Sequence, residues 1–442
     1  MRSLPLFLAV LQAVEPTPLP ERPPDGAAAA PAIRGADIDL LRAVRTIAGR
    51  VAEMQGAAFE RPPVAVRASA ELREAAAEIR ALNAAPRDRL EARGRAWVDI
   101  GLGSAESPAR VYRVLAADLD GVGFDPQGNR LLVDPERLTD ADFDAGASDP
   151  AAILMSTGVR PDEPLVGHVL VHVRQRERSG ADWLGATTDG TLARVAWAEG
   201  EANLLAIRYL FEGLGLSDAA IESGLDPGAV LDGRLLPPGL DGLAAAEREL
   251  VRFVYEDGFA AAAAAFRADG FAGVARSAGR RTTTRDLSHG DLEPLGRSSD
   301  AADPALPPGL ALADEDVLGE QGIFVLVSTL TGKDNLALQA ADGWIGDRLL
   351  RFEPRTAGSP DRGMTHWRTR WVDEAASADF EYALVRSLEA RFPGRTFAEV
   401  GPGTRVLATP ERVFRIEREP IEVRLVVVPP DPPAPTERPG RS

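Results

Sequence analysis

Two histidines four residues apart, His168 and His172, place the strongest constraint on how this chain folds. They stand in the segment VGHVLVHVRQRE, residues 166–177, which has enough β-branched residues to form a buried strand. On a strand the two imidazoles would lie about 13 Å apart, because each residue advances about 3.3 Å. On a helix they would lie about 6 Å apart on adjacent turns, which suits two ligands of one metal ion.

Three features of the surrounding sequence favour the helix. Asp162 can cap its first turn, Pro164 fits the first turn of a helix, and the polar continuation RQRERS runs as far as Gly180. The resulting segment is longer than a typical strand. We therefore predict a helix from about Asp162 to Gly180 that carries both histidines on one face.

A second helix is predicted from about Gly190 to Phe211. Either Thr188 or Asp189 is expected to be its N-cap, and Gly213 is expected to end it. The segment TLARVAWAEGEANLLAIRYL has an apolar stripe at helical spacing, which indicates that one face of this helix packs against a core.

Glu199 falls within that apolar stripe. An unpaired carboxylate facing a core is costly, so it needs a partner, and a zinc ion bound by His168 and His172 would provide one. Asn203 lies one turn further along the same face, where it can orient a metal ligand. Glu201 points about 200° away from Glu199 and is predicted to be solvated.

The rest of the chain predicts an α+β protein with a mainly helical core, a small β-hairpin or sheet, and a C-terminal α/β module. GVGFDPQGNRLLVD, residues 121–134, is typical of a hairpin. Beyond residue 314 the pattern changes to short strands and helices, with GIFVLVSTL among the apolar segments and a terminal hairpin. The predicted parts are a signal-like leader with a Pro/Ala-rich spacer (1–33), a main domain (34–296), a linker (297–313), the module (314–429) and a disordered tail (430–442).

Composition limits the classes of partner. The formal net charge of −17 argues against nucleic acid, which requires a basic surface. The absence of cysteine excludes disulfides and thiolate metal sites. The start MRSLPLFLAVLQAV resembles a short secretory signal, so we expect export to the periplasm or the medium, and no later run is apolar enough for a membrane span. A protein or peptide ligand is compatible with this composition, and the oligomeric state stays open.

At the level of motifs, the sequence resembles a bacterial family of exported proteins with a gluzincin-type zinc metallopeptidase core, which carries H-E-L-x-H-A-L-Q-D-Q and, one helix later, V-E-G-E-A. Here HVLVHVRQRE stands for the first motif and WAEGEANLL for the second. GVGFDPQGNRLLVD, RTTTRDLSHGDL and the C-terminal segments are similar to further family segments, so the resemblance spans Ile38 to Val428. It implies a metallopeptidase-like main domain with Zn²⁺ bound by His168, His172 and Glu199.

The chain departs from the family where the chemistry is most demanding. Val169 occupies the position of the glutamate that acts as general base, and valine cannot accept a proton. Because general acid–base catalysis contributes typically ~10²–10⁴-fold, peptide hydrolysis by the usual route should be severely impaired. Glu163 and Asp182 are conceivable substitutes, although their spacing does not direct them towards a metal-bound water. Arg174 and Arg176 replace polar positions of the family motif and are expected to form a solvated basic face.

Three functions remain open at this point. The leading hypothesis is a pseudopeptidase with no catalytic residue, which holds zinc and has a binding or regulatory role. The alternatives are an active zinc-dependent hydrolase with a non-standard base, and a metal-free interaction protein.

Neither of the other histidines changes the order of these three hypotheses: His289 is expected to be structural and His366 to lie at a strand start. The tryptophans of the module are expected to be core aromatics rather than a ligand cage, namely Trp344, Trp367 and Trp371.

Overall fold

The computed structural model describes residues 37–135, 160, 162–179, 184–213, 235–278, 283–290, 308–355 and 363–430. Within them the protein is mixed α and β: a mainly helical region is followed by a module built on a seven-stranded antiparallel sheet. The predicted leader, spacer and most of the tail, together with Asp182, lie outside the described residues. In the described part of the chain, no helix combines the length and apolarity needed to cross a bilayer.

The helical region contains the two helices expected to carry the metal ligands, and both predictions of a helix are confirmed. The histidine helix α5 covers Asp162–Ser179, and the glutamate helix α6 covers Thr188–Gly213. The other helices of this region are α1 (Asp37–Met54), α2 (Ala70–Ala84), α3 (Arg87–Ile100), α4 (Ser107–Ala116), α7 (Ala245–Ser277) and α8 (Thr284–His289).

Helix α6 lies in the centre of this region, packed against α5 on one side and against the long helix α7 on another. Two glycines allow its close approach to α7. A Cβ at Gly200 would lie 2.1 Å from the carbonyl oxygen of Gly258, and a Cβ at Gly258 would lie 2.1 Å from the carbonyl oxygen of Ala196. The glycine between Glu199 and Glu201 therefore fixes how deeply both carboxylates sit between the helices.

The first turn of α6 is anchored differently from the prediction. The helix begins at Thr188, and it is the hydroxyl of Thr187 that accepts a hydrogen bond from the N–H of Gly190, at 3.3 Å. The hydroxyl of Thr188 instead donates to Asp316, and Asp189 accepts from the backbone N–H and the hydroxyl of Thr284. The predicted N-cap at Thr188 or Asp189 is therefore wrong by one position or two, because both side chains are used for tertiary contacts.

A three-stranded sheet lies against α5. Its strands are β1 (Val64–Arg67), β2 (Val122–Asp125) and β3 (Arg130–Val133), in the order β1-β3-β2. The antiparallel pair β2 and β3 is the predicted hairpin, while β1 joins β3 in parallel. One edge of β2 is thus left without a strand partner within the described sheet.

The C-terminal module consists of the seven-stranded sheet and three helices. All its strand pairs are antiparallel, in the order β4-β5-β6-β10-β9-β8-β7. The strands are β4 (Leu310–Asp316), β5 (Trp344–Pro354), β6 (Met364–Trp371), β7 (Ala398–Gly401), β8 (Thr404–Ala408), β9 (Val413–Glu419) and β10 (Glu422–Val428). The helices are α9 (Gly319–Thr331), α10 (Asp334–Ala341) and α11 (Glu374–Arg391).

Two details of the module differ from the sequence pattern. Strand β4 begins at Leu310, so the linker predicted for 297–313 ends earlier than expected. The apolar segment GIFVLVSTL, grouped by its pattern with the short strands, is helical and lies within α9. Helix α9 contacts α7 and α6 as well as α10, α11 and β5, which explains why it shows no single apolar face.

Buried ion pairs join the module to the helical region. The carboxylate of Asp99 at the end of α3 accepts hydrogen bonds from Arg351 (2.7 Å), Thr365 (2.7 Å) and Arg412 (3.0 Å). Arg93, one and a half turns earlier, donates to Asp314 at 2.9 Å and is fully buried. A charge buried at this depth is tolerated only when it is paired, so these contacts fix α3 against the sheet.

Candidate metal centre

Helix α5 brings the two histidines together on the face that looks towards α6. Residues 162–175 of this helix are buried throughout, which explains why its apolar composition resembles a buried strand. The imidazole rings of His168 and His172 are 4.8 Å apart at their centres and nearly perpendicular. The prediction of two imidazoles on adjacent turns is therefore confirmed, and the strand alternative is wrong.

Glu199 completes a triangle of ligand atoms. The Nε2 atoms of His168 and His172 are 3.1 Å apart. They lie 3.3 Å and 3.4 Å from the two carboxylate oxygens of Glu199. With one ligand atom taken from each residue, these atoms all lie within 4.8 Å of one another. The three buried side chains form a group that can hold a metal ion.

Burial and mutual charge set the protonation of this group. Burial lowers the pKa of His168, and Glu199 and Asn203 only partly offset the effect. Burial also acts to lower the pKa of His172, but Glu199 and Gln175 outweigh it, so this pKa is raised. Burial would raise the pKa of Glu199, yet the two imidazoles hold it well below its usual range. Glu199 is therefore an anion that attracts positive charge to this point.

A chain of hydrogen bonds fixes the orientation of His172. Nδ1 of His172 lies 2.8 Å from Oε1 of Gln175. Nε2 of Gln175 donates to Oε2 of Glu201 at 3.0 Å and to the carbonyl of Ala198 at 2.9 Å, which fixes the orientation of the amide. Because Oε1 must then accept, we infer that Nδ1 of His172 carries a proton and that Nε2 of the neutral ring offers its lone pair to a metal.

Glu201 is fully buried, so the prediction that it is solvated is wrong. Its carboxylate accepts from Gln55 at 3.2 Å and from Arg178 at 2.5 Å, in addition to Gln175. The reason is that α6 is covered on several sides, so the side opposite Glu199 also faces protein. Glu201 thus contacts Gln175, the hydrogen-bond partner of His172, instead of facing water.

His168 is supported less completely. Asn203, the predicted orienting residue, is fully buried beside it and only partly offsets the effect of burial, which lowers the pKa of His168. Neither atom of the Asn203 amide makes a hydrogen bond of regular geometry with a described residue, and the same holds for Nδ1 of His168. On the side away from Glu199, His172 is therefore held by a complete hydrogen-bond chain, whereas His168 is held mainly by packing.

The ligand triangle faces a small cavity with a volume of about 40 Å³. Its lining includes all three candidate ligands and Val169. By the usual measure of about 10–15 Å³ per water molecule, this cavity takes roughly three waters. Val169 places an aliphatic side chain on its wall, and the side chain is almost fully buried. The wall position beside His168 therefore cannot supply a proton acceptor.

Three lining residues were not anticipated from the sequence: Arg80, Asp118 and Tyr255. Asp118 and Arg80 form an ion pair of 2.8 Å. Tyr255 comes from α7, and burial, followed by the charges of Glu199 and Asp118, raises its pKa well above the usual value. No local pattern signals these residues, because they come from three separate elements that tertiary packing brings together.

The two proposed substitute bases receive no support from the described residues. Glu163 does not line the cavity, and its carboxylate accepts a hydrogen bond from the hydroxyl of Tyr209 at 2.7 Å. Asp182 lies outside the described residues.

The basic face predicted for the end of α5 is also wrong for Arg174. This side chain is buried, donates to the carbonyl of Ala58 and to Glu177, and lies over the ring of Phe59. Its cover is the loop that follows α1, which the local sequence of α5 does not reveal. Arg176 is half-buried.

The remaining candidates lie away from the centre. His289 at the end of α8 is 2.6 Å from Glu320 and outside the cavity. His366 is the third residue of β6, close to the predicted strand start. The three tryptophans of the module are buried, and their prediction as core aromatics is confirmed.

Comparison with known proteins covers only the C-terminal module. Residues 310–436 match the model of a family described as a domain of unknown function, DUF8575. This range begins with β4, covers less than half of the chain and does not reach the metal centre. No curated protein and no solved structure matches the chain.

Proposed function

We propose that the protein is a metallopeptidase-like zinc protein without efficient peptidase activity, whose role is binding or regulation. His168, His172 and Glu199 hold the ion. The observation that carries this proposal is the ligand triangle, because one ligand atom from each of the three buried side chains lies within 4.8 Å of the others, close enough for a single zinc ion to bind all three after small adjustments. A bound zinc ion supplies Lewis acidity and lowers the pKa of a coordinated water.

The surroundings of the triangle also support the proposal. Glu199 is an anion facing two imidazoles, and a cation between them compensates a carboxylate that is otherwise costly to bury. Gln175 and Glu201 orient His172 in the manner that metal-ligating histidines usually show.

The impaired catalysis follows from Val169 and from the size of the cavity. Hydrolysis of a peptide needs a group that takes the proton of the attacking water, and Val169 has none. The cavity of about 40 Å³ beside the ligands holds only a few water-sized molecules, which does not favour an extended substrate. The resemblance to exported gluzincin-type metallopeptidases agrees with the two ligand helices, and we extend to this chain only their zinc ligands and not their activity.

A metal titration monitored by thermal unfolding tests the zinc site. Zinc that binds only the folded protein stabilises it by about 2.7 kcal/mol at 100 times its Kd, so the unfolding temperature should rise with zinc concentration. The variant Glu199→Gln keeps the shape of the side chain and removes its charge, and it should lose most of the shift. His289→Ala, which removes a histidine outside the cavity, is the matched control and should keep it.

A peptide-library assay of the zinc-loaded protein tests the second half of the proposal. We expect no zinc-dependent cleavage. Robust cleavage by the parent that disappears in His168→Ala would replace this proposal with an active hydrolase that uses another base. If zinc does not change the unfolding temperature of either the parent or Glu199→Gln, the result would favour the metal-free alternative.

A further inference from the structure

The edge of β2 that does not pair with β3 is already hydrogen-bonded within the chain. The N–H of Val122 donates to the carbonyl of Leu119 at 3.3 Å. The N–H of Phe124 donates to Oδ1 of Asp118 at 3.3 Å, and its carbonyl accepts from Nη1 of Arg80 at 2.7 Å. The backbone groups that an added strand would need at Phe124 are therefore both taken by the Arg80–Asp118 ion pair.

The capped edge of β2 lies beside the candidate zinc ligands. Phe124, Arg80 and Asp118 line the same cavity as the three candidate zinc ligands. An open strand edge beside a binding site is the usual docking place for an extended peptide, because the peptide can add as a further strand. Here the carboxylate of Asp118 and the guanidinium of Arg80 make the two hydrogen bonds with Phe124 that such a strand would make, so the edge is closed.

The ion pair is built into the fold. Nε and Nη2 of Arg80 both donate to the carbonyl of Ala116, at 3.1 Å and 2.5 Å, so the guanidinium has little freedom to swing away. The side chains of Arg80 and Asp118 are only 15% and 12% exposed. Gly123 makes room for the carboxylate, since a Cβ there would lie 2.0 Å from Oδ2 of Asp118.

The second carboxylate oxygen of Asp118 is enclosed by protein. Oδ2 of Asp118 is buried and makes no hydrogen bond with any residue in the described ranges. All the hydrogen bonds that Arg80 donates go to protein oxygens, so it does not offer the cavity a free cationic donor of comparable strength. The pair therefore closes the edge of β2 without offering a ligand either a free guanidinium donor or Oδ2 of Asp118.

We propose that the Arg80–Asp118 pair sets the ligand size of the metal centre: it excludes polypeptides by capping β2 and admits only small ligands, such as a coordinated water or a short hydroxamic acid. This inference rests on the zinc site proposed above and adds the class of ligand. It makes Asp118 and Arg80 determinants of specificity instead of catalytic residues.

The test uses the full chain loaded with Co²⁺, whose visible absorption reports ligands that enter the coordination sphere. Formohydroxamate and a tripeptide hydroxamate carry the same metal-binding group and differ in length. The parent should bind formohydroxamate and show no spectral change with the tripeptide hydroxamate. The double variant Arg80→Ala with Asp118→Ala should bind the tripeptide compound at least about tenfold more tightly than the parent.

A control and a second measurement keep the outcomes separate. Arg130→Ala breaks the exposed ion pair with Asp125 at the turn of the same hairpin and should behave as the parent. Equal binding of both hydroxamates by the parent would overturn the size limit and leave the metal site standing. No Co²⁺ spectrum in the parent would overturn the metal site and, with it, the ligand class. Amide hydrogen exchange needs no metal: Phe124 should be protected in the parent, and free exchange at this amide would overturn the capping itself.

Discussion

Asp189, in the first turn of α6, should make the stability of this protein fall as the pH rises. Its Oδ1 accepts hydrogen bonds from the N–H and the hydroxyl of Thr284, at 2.9 Å and 2.7 Å. Burial, followed by the nearby charges of Asp347 and Asp286, raises the pKa of Asp189 to about 7 despite these bonds. The folded protein therefore holds this proton to a higher pH than the unfolded chain does.

The size of the effect follows from the pKa difference. The pKa rises from 3.8 to about 7, and one pKa unit corresponds to 1.36 kcal/mol, so ionised Asp189 costs about 4 kcal/mol. This stability is fully present below pH 4 and is lost as the pH rises through 7. In Asp189→Asn the amide oxygen keeps both bonds to Thr284 and carries no charge. We expect this variant to be about 4 kcal/mol more stable than the parent at pH 8 and nearly equal to it at pH 4.

Chemical denaturation at a series of pH values measures this difference, and Asp347→Asn provides the contrast. Burial also raises the pKa of Asp347, to about 6, but each of its oxygens accepts two N–H donors. These donors are the backbone N–H groups of Leu318 and Gly319 and the indoles of Trp344 and Trp367. An amide would turn its NH₂ group towards two of them, so Asp347→Asn should destabilise the protein at every pH. A pH-independent effect of Asp189→Asn, or equal stabilisation by both variants, would refute the reasoning.

Two further predictions concern the helices of the metal centre. Gly200→Ala should lower the free energy of unfolding, measured in urea, by about 1–3 kcal/mol, because its Cβ would lie 2.1 Å from the carbonyl oxygen of Gly258. Gly49→Ala in α1 is the control: its Cβ would meet no atom within 4 Å, so this variant should not destabilise the protein. Gln175→Leu should weaken zinc binding by about 10- to 100-fold in a chelator competition, because His172 loses its hydrogen-bond partner. Asn203→Leu should weaken zinc binding less than Gln175→Leu does. An equal loss of zinc affinity in the two variants would contradict the conclusion that His172 is held by hydrogen bonds and His168 mainly by packing.

The centre could be predicted from sequence wherever local signals and side-chain chemistry agreed. The length and flanking residues of the histidine segment indicated a helix, which the structure confirms. Glu199 could be recognised because a carboxylate on an apolar stripe needs a partner. The same argument failed for Glu201, because it assumed that α6 has one buried face, while in the fold protein covers several sides of this helix. Hydrophobic periodicity does not distinguish water from a polar, hydrogen-bonded interior.

Other features depend on tertiary contacts that local sequence does not encode. Asp118 and Arg80 cap a strand from different elements, and neither belongs to a motif. Thr187 caps α6 because the two residues that follow it are drawn into contacts with Asp316 and Thr284. Arg174 is buried by a distant loop. In each case the chemistry of the residue was foreseeable, but its partner was not.

The zinc content of the purified protein tests the central claim most directly. Elemental analysis of the parent, purified without chelators and dialysed against metal-free buffer, should give close to one zinc per chain. Glu199→Gln and His172→Ala should give much less, while His366→Ala, outside the cavity, should match the parent. Zinc in the parent no higher than in the ligand variants would contradict the account, because the triangle of His168, His172 and Glu199 would then be a hydrogen-bonded core and not a metal centre.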